Sequence, residues 1–429
     1  MQVFSGVLKN TLAQGLSRLG TVLVSVVLTA VLYRLLKDDG FGAYSFISAL
    51  VLLFAHISDW GTNIITVKQA SQEKEKQPEI FGSLIIFRFV LAIISFLLVN
   101  VVVRANPAWQ SLVTPTTIAS FVLLFLSFKT SAQMIFQTLF RLELSAVVDF
   151  LASLVFLILV LLFVFLSPAN LNFIMLAWVL ATIVVGIIGM FLAGKVSRIN
   201  WTLDWQIIKS VSSAAIPTGA LLITFSLYNR IDIVILQYFQ GNAEVAPYAL
   251  AYKVYDNAVL GAAFLMNAIF PHLAREFAEK SNKIAIYYQK AFDLLLLFAL
   301  AVFLLIFIFA PVIVGVLAGS ANNPATGVLR ILSVAAFIAY FNHLTGFSLI
   351  AAGRQKISLV IALTALSFNV LVNLMFVRQY SFTAAAYATV ATEVLVLLIS
   401  TLVIWKSIGI LPSVTSFPKT FLELIKKKI

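Results

Sequence analysis

Ionisable side chains stand inside long apolar stretches of this chain, where a charge is costly. The basic ones are Arg18, Arg88, Lys129, Arg230, Lys253 and Arg330. One ionised side chain at the centre of a bilayer costs about 2.5–3.5 kcal/mol even on a lenient scale, so such residues mark candidate functional sites. Arginine binds phosphate groups bidentately and lysine binds them as a point charge. We therefore predict an electropositive cavity for a phosphate or pyrophosphate, lined by Arg18, Arg88, Lys129, Arg230 and Lys253.

Four acidic residues inside apolar stretches form a second candidate set: Asp59, Asp232, Asp256 and Glu393. They would either neutralise the cations or couple a conformational change to a proton or sodium gradient. Arg230 and Asp232 are two residues apart, so on a helix they point in different directions. Each of the two therefore needs a partner from another segment.

Amide side chains accompany these charges at spacings of three and four residues, which place side chains on one face of a helix. Such stripes either line a shared polar interior or form interhelical hydrogen bonds that hold a bundle together. The formal charges on the stripes favour the interior, although the sequence leaves both interpretations open. The polar positions assigned to the cavity are Asn10, Gln14, Asn63, Gln133, Gln137 and Asn257.

Three of the charged residues, Arg330, Asp149 and Asp293, lie near the ends of apolar stretches and are expected to snorkel toward the membrane surface. The chain has no cysteine and only three histidines, far apart in sequence. This composition argues against thiol chemistry, disulfides and a metal site. We therefore predict no metal and no bound cofactor.

The stretches that must position these residues are membrane spans. Of the 429 residues, 62% are hydrophobic and 11% are charged, and one helical crossing needs about 20 apolar residues. Since lipid cannot satisfy the backbone of a lone strand, every span is predicted to be helical. We expect an all-α polytopic membrane protein with twelve transmembrane helices, at roughly 11–33, 41–66, 81–103, 117–138, 144–166, 172–193, 211–239, 248–270, 291–318, 326–350, 357–377 and 384–404.

The formal net charge of +12 is a topology signal. With a cytoplasmic amino terminus, 19 lysines and arginines fall in inner segments and 4 in outer loops. The positive-inside rule then places both termini in the cytoplasm. This placement disfavours a nucleic-acid partner. No segment outside the spans exceeds about 25 residues, so we expect no soluble catalytic domain and no enzyme.

The chain resembles a six-plus-six duplication. The link Leu35–Ser45 corresponds to Phe239–Ala249 at an offset of 204, and Arg141 corresponds to Arg354 at an offset of 213. Each six-span unit has an even number of crossings, so the two would be parallel repeats about a pseudo-two-fold axis. We predict lobes at 1–200 and 201–410, followed by a basic cytoplasmic tail at 411–429.

Two Asn-Pro-Ala tripeptides, at 106–108 and 323–325, each precede a fourth span of a unit. Paired tripeptides of this type occur in water channels, which have only six full crossings. Asparagine followed by proline is also an ordinary helix start, with the asparagine as cap. With twelve crossings present, we favour capping. Pro217 and Gly219 in the seventh span favour a flexible helix suited to a gate.

Seven short segments carry a resemblance to a known family: Lys9–Thr11, Arg34–Leu36, Phe41–Tyr44, Asp59–Gly61, Asn229–Asp232, Tyr248–Lys253 and Ala352–Arg354. With them, across nearly the whole chain, the sequence resembles the polysaccharide-unit flippases (O-antigen, Wzx-type) of the multidrug/oligosaccharidyl-lipid/polysaccharide exporter superfamily. The resemblance implies two six-helix lobes and translocation of an undecaprenyl-pyrophosphate-linked oligosaccharide across the bacterial inner membrane by alternating access. The family's cationic cavity would map onto Arg18, Arg230 and Lys253.

The expected partners are the lipid-linked oligosaccharide, membrane lipids and a glycan polymerase machinery. One alternative is a cation-coupled multidrug exporter of the same fold, which would prefer an acidic, aromatic cavity. Another is a membrane glycan polymerase or ligase, but such enzymes need a long outer loop, and the longest here is about 13 residues. A scaffolding protein would not account for the buried charges.

Overall fold

The computed structural model describes residues 2–166, 170–279 and 283–414, with side chains from residue 20 onward except at 166, 278 and 408. Within these ranges the chain is almost entirely helical and contains no strand. Two short 3-10 helices, Lys74–Lys76 and Pro107–Leu112, join the longer elements. The α-helices are α1 (Gln2–Asp59), α2 (Thr62–Gln72), α3 (Gln77–Ala105), α4 (Val113–Ser120), α5 (Val122–Thr138), α6 (Leu142–Leu166), α7 (Leu171–Val196), α8 (Trp205–Gln240), α9 (Asn242–Ala278), α10 (Ile284–Ala318), α11 (Ala325–Ala351) and α12 (Gln355–Ile408).

Ten helical stretches in the described ranges are long and apolar enough to cross a membrane. Two of them, Gly20–Gln72 and Gln355–Ser407, contain 53 residues each. A straight helix of that length would span about 80 Å, against about 30 Å for the hydrocarbon core. Each therefore holds two crossings, which accounts for the twelve predicted spans. The predicted all-α polytopic class is confirmed.

The chain reverses direction inside α1 and inside α12. Lys37 in α1 has φ 56° and ψ −169°, and the rings of Tyr33 and Phe41 on either side of it are 4.9 Å apart. Ser381 in α12 has φ 49° and ψ −138°. Asn369 Nδ2 lies 3.5 Å from Thr392 Oγ1, although 23 residues of continuous helix would separate them by about 35 Å. Each element is therefore a helical hairpin.

Equivalent links in the two halves of the sequence share unusual backbone geometry. Gly241, which is 204 residues after Lys37, has φ 82° and ψ −177°, close to the values at Lys37. This region of backbone space is populated almost only by glycine, so Lys37 carries strain that Gly241 does not. The two residues with this shared geometry are 204 positions apart, the same offset as between the links that the proposed duplication pairs.

The links around Arg141 and Arg354 also match. The residue before each arginine has positive φ, 58° at Phe140 and 71° at Gly353. The Arg141 N–H donates to the Phe136 carbonyl and the Arg354 N–H to the Leu349 carbonyl, both at 2.8 Å. Two helix ends 213 residues apart thus close with the same hydrogen bond.

The Asn-Pro-Ala tripeptides are helix caps. Asn106 Oδ1 accepts from the Ala108 N–H at 3.0 Å, and Asn323 Oδ1 accepts from the Ala325 N–H at 2.9 Å. These bonds satisfy backbone donors that have no partner within the helix. The capping interpretation is confirmed.

The described chain forms two compact units, Met1–Tyr238 and Phe239–Ile429. The core of the first includes Phe81, Ile135 and Phe136, and the core of the second includes Met266, Tyr288 and Tyr340. The prediction had placed the lobe boundary at residue 200. In the structure α8 groups with the first unit because its amino-terminal part packs there, with Val211 in the first core.

The two residues between α1 and α2 are not helical, and their backbone packs directly against the backbone of α8. Trp60 and Gly61 have φ 47° and 69°, and Thr62 restarts the helix. A Cβ atom added to Gly61 would lie 2.4 Å from the Gly219 nitrogen, and one added to Gly219 would lie 2.8 Å from the Trp60 oxygen. Pro217 lies inside α8, two residues before this contact, and lacks the N–H for an intrahelical bond. The non-helical residues 60–61 and the proline of α8 therefore lie at the same crossing, where the two backbones are so close that positions 61 and 219 must both be glycine.

We expect Gly219→Ala to lower the free energy of unfolding by about 1–3 kcal/mol, because its Cβ meets backbone rather than a side chain that can move. Gly346→Ala on α11 is the matched control, since nothing lies within 4 Å of an added Cβ there. The control should be neutral or stabilising by up to about 1 kcal/mol through helix propensity. Thermal unfolding of the purified protein in detergent measures both, and equal melting temperatures would contradict the tight crossing.

Candidate functional site

A buried ion pair joins three helices of the first unit. Arg88 on α3 is 1% exposed, and its Nη2 donates to Asp59 Oδ1 at the end of α1. The same nitrogen donates to Thr130 Oγ1 on α5 at 3.3 Å. Asp59 is more accessible than its partner, with 21% of its side chain exposed. In this conformation a carboxylate already neutralises Arg88, so the guanidinium does not face a ligand.

A second ion pair involves Lys129, the residue directly before Thr130 on α5. Lys129 Nζ is 2.7 Å from Asp149 Oδ1 on α6, and Gln133 Nε2 donates to the same oxygen at 2.9 Å. The expectation that Asp149 snorkels was wrong, because Lys129 and Gln133 hold it between the helices. Both charges are partly open, with 17% of the lysine and 29% of the aspartate side chain exposed. The side chain of Lys129 is thus more accessible than that of Arg88.

The spacing of polar residues on α5 organises these contacts. Gln137, two turns after Lys129, accepts from Asn63 Nδ2 at 3.4 Å. One face of α5 therefore contacts α2, α3 and α6 through polar groups. Below, the first-unit polar belt denotes this set: Asp59, Asn63, Arg88, Lys129, Thr130, Gln133, Gln137 and Asp149.

The second unit contains a buried acid with neutral hydrogen-bond donors around it. Glu393 on α12 is 6% exposed. Tyr255 on α9 donates its hydroxyl to Oε1 at 3.1 Å, and Asn342 on α11 donates to Oε2 at 2.6 Å. The Asn342 amide also donates to the Glu393 main-chain carbonyl at 2.9 Å. Three helices thus converge on one carboxyl group.

Further polar groups extend this arrangement along α12. Asn373 Nδ2 donates to Asn369 Oδ1 at 3.1 Å, and Asn369 reaches Thr392, the neighbour of Glu393. Tyr248 and Thr389 share a hydroxyl hydrogen bond of 3.0 Å. We call this set the Glu393 cluster: Tyr248, Tyr255, Asn342, Asn369, Asn373, Thr389, Thr392 and Glu393.

The sequence identified Glu393 as a candidate, but it did not identify Tyr255 and Asn342, which hold its carboxyl group, or Asn369 and Asn373 nearby. The four-residue spacing of Asn369 and Asn373 in an apolar span was an available signal. The tyrosines at 248, 252 and 255 were another, because their spacing of four and three residues places them on one face of a helix. In the structure their rings are tilted against each other, with centroids 5.4 and 5.0 Å apart. Nothing in the sequence pointed to Asn342.

The remaining predicted residues are distributed as follows. Asp232 on α8 is 2% exposed, and Arg230, Lys253 and Asp256 are half-buried. Each of these four takes part in a polar or electrostatic interaction. The Asn257 amide donates to its own helix, to the Lys253 carbonyl at 2.7 Å. The side chains of Asn10, Gln14 and Arg18 lie outside the described residues.

Two of the residues expected to snorkel behave differently from each other. Asp293 on α10 is 2% exposed and accepts from Gln289 Nε2 at 2.9 Å, so its expected snorkelling was wrong. Arg330 lies on the exposed surface of α11. Its Nε donates to the Phe307 carbonyl at 3.3 Å, and its guanidinium carbon is 5.6 Å from the centre of the Phe307 ring.

Sequence comparison identifies the family. Residues 7–277 match the family described as "Polysaccharide biosynthesis protein", which is more than half of the chain. The protein belongs to this family. Residues 217–375 also match the MatE family.

Solved structures with the same fold come from two kinds of membrane protein. One is described as the lipid II flippase MurJ in an inward closed conformation, with TM-score 0.76, 13% identity and coverage of 97% of this chain and 90% of that one. Another is an inward-facing multidrug resistance MATE family transporter of the MOP superfamily, with TM-score 0.74, 13% identity and coverage of 90% and 95%. A MATE multidrug transporter, DinF-BH in complex with R6G, has TM-score 0.68, 15% identity and coverage of 93% and 94%.

One curated relative is an uncharacterised membrane protein of Methanocaldococcus jannaschii, 29% identical over 163 residues. The match spans 37% of this chain and 32% of that protein, so about a third of the relative's length is compared. This chain has the fold that these flippase and MATE structures share, and its long apolar helices make it a multi-pass membrane protein. The polysaccharide-biosynthesis family and the fold expected from the sequence are confirmed.

We expect Asp59→Asn to destabilise the first unit by about 3–5 kcal/mol, because it leaves the Arg88 guanidinium buried without a charged partner. Glu279→Gln is the control, since the Arg275–Glu279 pair is largely exposed and should contribute little. The loss of thermal stability in detergent measures the difference. A melting temperature equal to that of the control would show that Arg88 finds another partner.

Proposed function

We propose that this protein is a flippase that moves a lipid-linked oligosaccharide across the plasma membrane for surface polysaccharide assembly. The observation that carries the proposal is the match of residues 7–277 to the polysaccharide biosynthesis family in a chain with the MOP-superfamily fold. Cations within the membrane-spanning segments support it, because a diphosphate-linked lipid needs positive charge wherever it leaves water. The expected substrate carries its sugars on undecaprenyl pyrophosphate.

In this proposal the pyrophosphate binds Arg18, Arg230 and Lys253, the sugars occupy a polar chamber and the isoprenoid tail stays in lipid. Arg88 and Lys129 are held by Asp59 and Asp149, so their first role is to keep the helices of the first unit in register. Lys129 is partly exposed and could exchange Asp149 for a phosphate. A transporter that binds its substrate better in one conformation than in another shifts the population toward that conformation, which is the basis of alternating access.

We predict that Arg230→Glu lowers export of lipid-linked sugar at least about tenfold, since it replaces an attractive charge by a repulsive one at the phosphate. Arg330→Glu makes the same charge change on the exposed surface of α11 and serves as control. Both proteins should insert and fold. Export is measured as transfer of a pyrophosphate-linked glycolipid between the leaflets of reconstituted vesicles, and unimpaired transfer by Arg230→Glu would reject its role.

A proton or sodium gradient is the proposed source of direction, and Glu393 is the proposed coupling group. Its surroundings support this role, because Tyr255 and Asn342 can hydrogen-bond either protonation state. We predict that Glu393→Gln abolishes the dependence of transport on an imposed gradient while passive exchange continues. Asp293→Asn, a change at another buried acid of the second unit, should leave that dependence intact. Gradient-dependent transport by Glu393→Gln would exclude it as the coupling group.

The second candidate function is cation-coupled export of drugs, favoured by the match of residues 217–375 to the MatE family. The net charge of +12 and the embedded cations disfavour binding of cationic drugs. Drug susceptibility of cells with and without the gene separates the two candidates.

The proposed setting is the bacterial inner membrane with both termini in the cytoplasm. The bias of 19 inner against 4 outer basic residues supports this orientation. Glycosyltransferases that build the unit and a polymerase that consumes it are the proposed partners, and no bound cofactor or metal is proposed.

A further inference from the structure

A groove of about 700 Å³ opens where α3 begins and α7 ends in the first unit. Glu75 and Glu79 line it near the start of α3, and Met190 and Gly194 line it on α7. The linker between α7 and α8 completes the wall, with Arg198 and Trp201. Because both helices leave the apolar part of the membrane at this level, the groove lies at the depth of the lipid headgroups.

The linker wall is a fixed part of the fold. The Asn200 N–H donates to the Pro78 carbonyl at 2.9 Å. Ser83 Oγ donates to the Thr202 carbonyl at 2.8 Å and accepts from the Asp204 N–H at 3.1 Å. A Cβ atom on Gly82 would lie 1.7 Å from the Asn200 oxygen, so a glycine is required for this close approach. The side chains on the linker are therefore held in place.

Large apolar side chains point outward from this fixed linker. Trp201, Leu203 and Trp205 are 59, 64 and 68% exposed. Indole rings are enriched where a membrane meets water, because their apolar body and N–H group suit that boundary. The exposed rings on a rigid support indicate that the mouth of the groove faces lipid.

The charges in the groove have both signs. Within the described residues, Glu75, Glu79 and Arg198 are exposed and form no salt bridge. Lys195, beside the groove, places its ammonium 4.4 Å from the centre of the Phe191 ring. A purely anionic headgroup would bring its phosphate to the arginine but would face two carboxylates. A headgroup that carries both a phosphate and a primary ammonium matches all three charged groups.

We propose that this groove binds a phospholipid of the phosphatidylethanolamine class. Arg198 binds the phosphate, Glu75 and Glu79 accept hydrogen bonds from the ammonium, and Met190 and Trp201 contact the glycerol and the first methylenes. A choline headgroup has no N–H to donate and a glycerol headgroup has no positive charge, so both bind more weakly. The groove shares no residue with the proposed pyrophosphate site, so the lipid proposal does not depend on the substrate.

The experiment measures lipid retention by the full chain, purified in detergent and mixed with equal amounts of phosphatidylethanolamine, phosphatidylcholine and phosphatidylglycerol, by native mass spectrometry. We expect phosphatidylethanolamine to be retained at least about tenfold in preference to the other two, a difference of the size of one charge-assisted hydrogen bond. The double variant Glu75→Gln, Glu79→Gln should lose the preference over phosphatidylcholine, and Arg198→Gln should lose retention. Lys209→Gln removes an exposed charge outside the groove and should change neither.

A preference for phosphatidylglycerol, or equal retention of all three lipids, would overturn the proposal. So would a loss of retention in Lys209→Gln as large as in Arg198→Gln. Thermal unfolding of every variant confirms that it is folded. Glycolipid transfer is measured in parallel, so failure of the lipid site is distinguished from failure of the proposed flippase activity.

Discussion

Every polar group inside a bilayer needs a partner from the protein, because lipid offers none. This constraint accounts for the helical fold, and it also determines which side chains meet. Helices satisfy their own backbone groups, so the side chains that remain polar must find each other across helices. In the first unit the partners are opposite charges, Arg88 with Asp59 and Lys129 with Asp149. In the second unit Glu393 is held by the neutral donors Tyr255 and Asn342.

These two solutions have different consequences. An ion pair that loses one partner leaves a buried charge, which makes the first-unit polar belt a costly arrangement to disturb. A carboxyl group with hydroxyl and amide donors can change protonation state while keeping its hydrogen bonds. The first arrangement suits a rigid frame, and the second keeps a carboxyl group hydrogen-bonded in either protonation state. The first unit contains the ion pairs, and the second unit contains the carboxyl group with hydroxyl and amide donors.

Pairs of residues about 200 positions apart share the same backbone angles or hydrogen bonds, which the fold by itself does not require. Lys37 and Gly241 share a conformation that favours glycine, and Arg141 and Arg354 close equivalent helix ends with the same bond. The asparagine caps at 106 and 323 form a third pair. Their spacing in sequence fits a duplication in which loops changed length but the turn geometry was kept. The glycine at 241 shows the unstrained form of a turn that carries lysine at 37.

Much of the fold followed from the sequence alone. Length and hydropathy predicted twelve crossings, since the thickness of the bilayer sets the length of each apolar segment. Helical spacing also predicted that Lys129, Gln133 and Gln137 share a face of α5, because that spacing is a property of one helix. The tertiary structure decided the partners. It brought Asp149 to Lys129, Asn342 to Glu393 and Gly219 to Gly61, pairs that come from different helices. Such pairs depend on how helices rotate and cross, and no local pattern along one helix encodes that rotation.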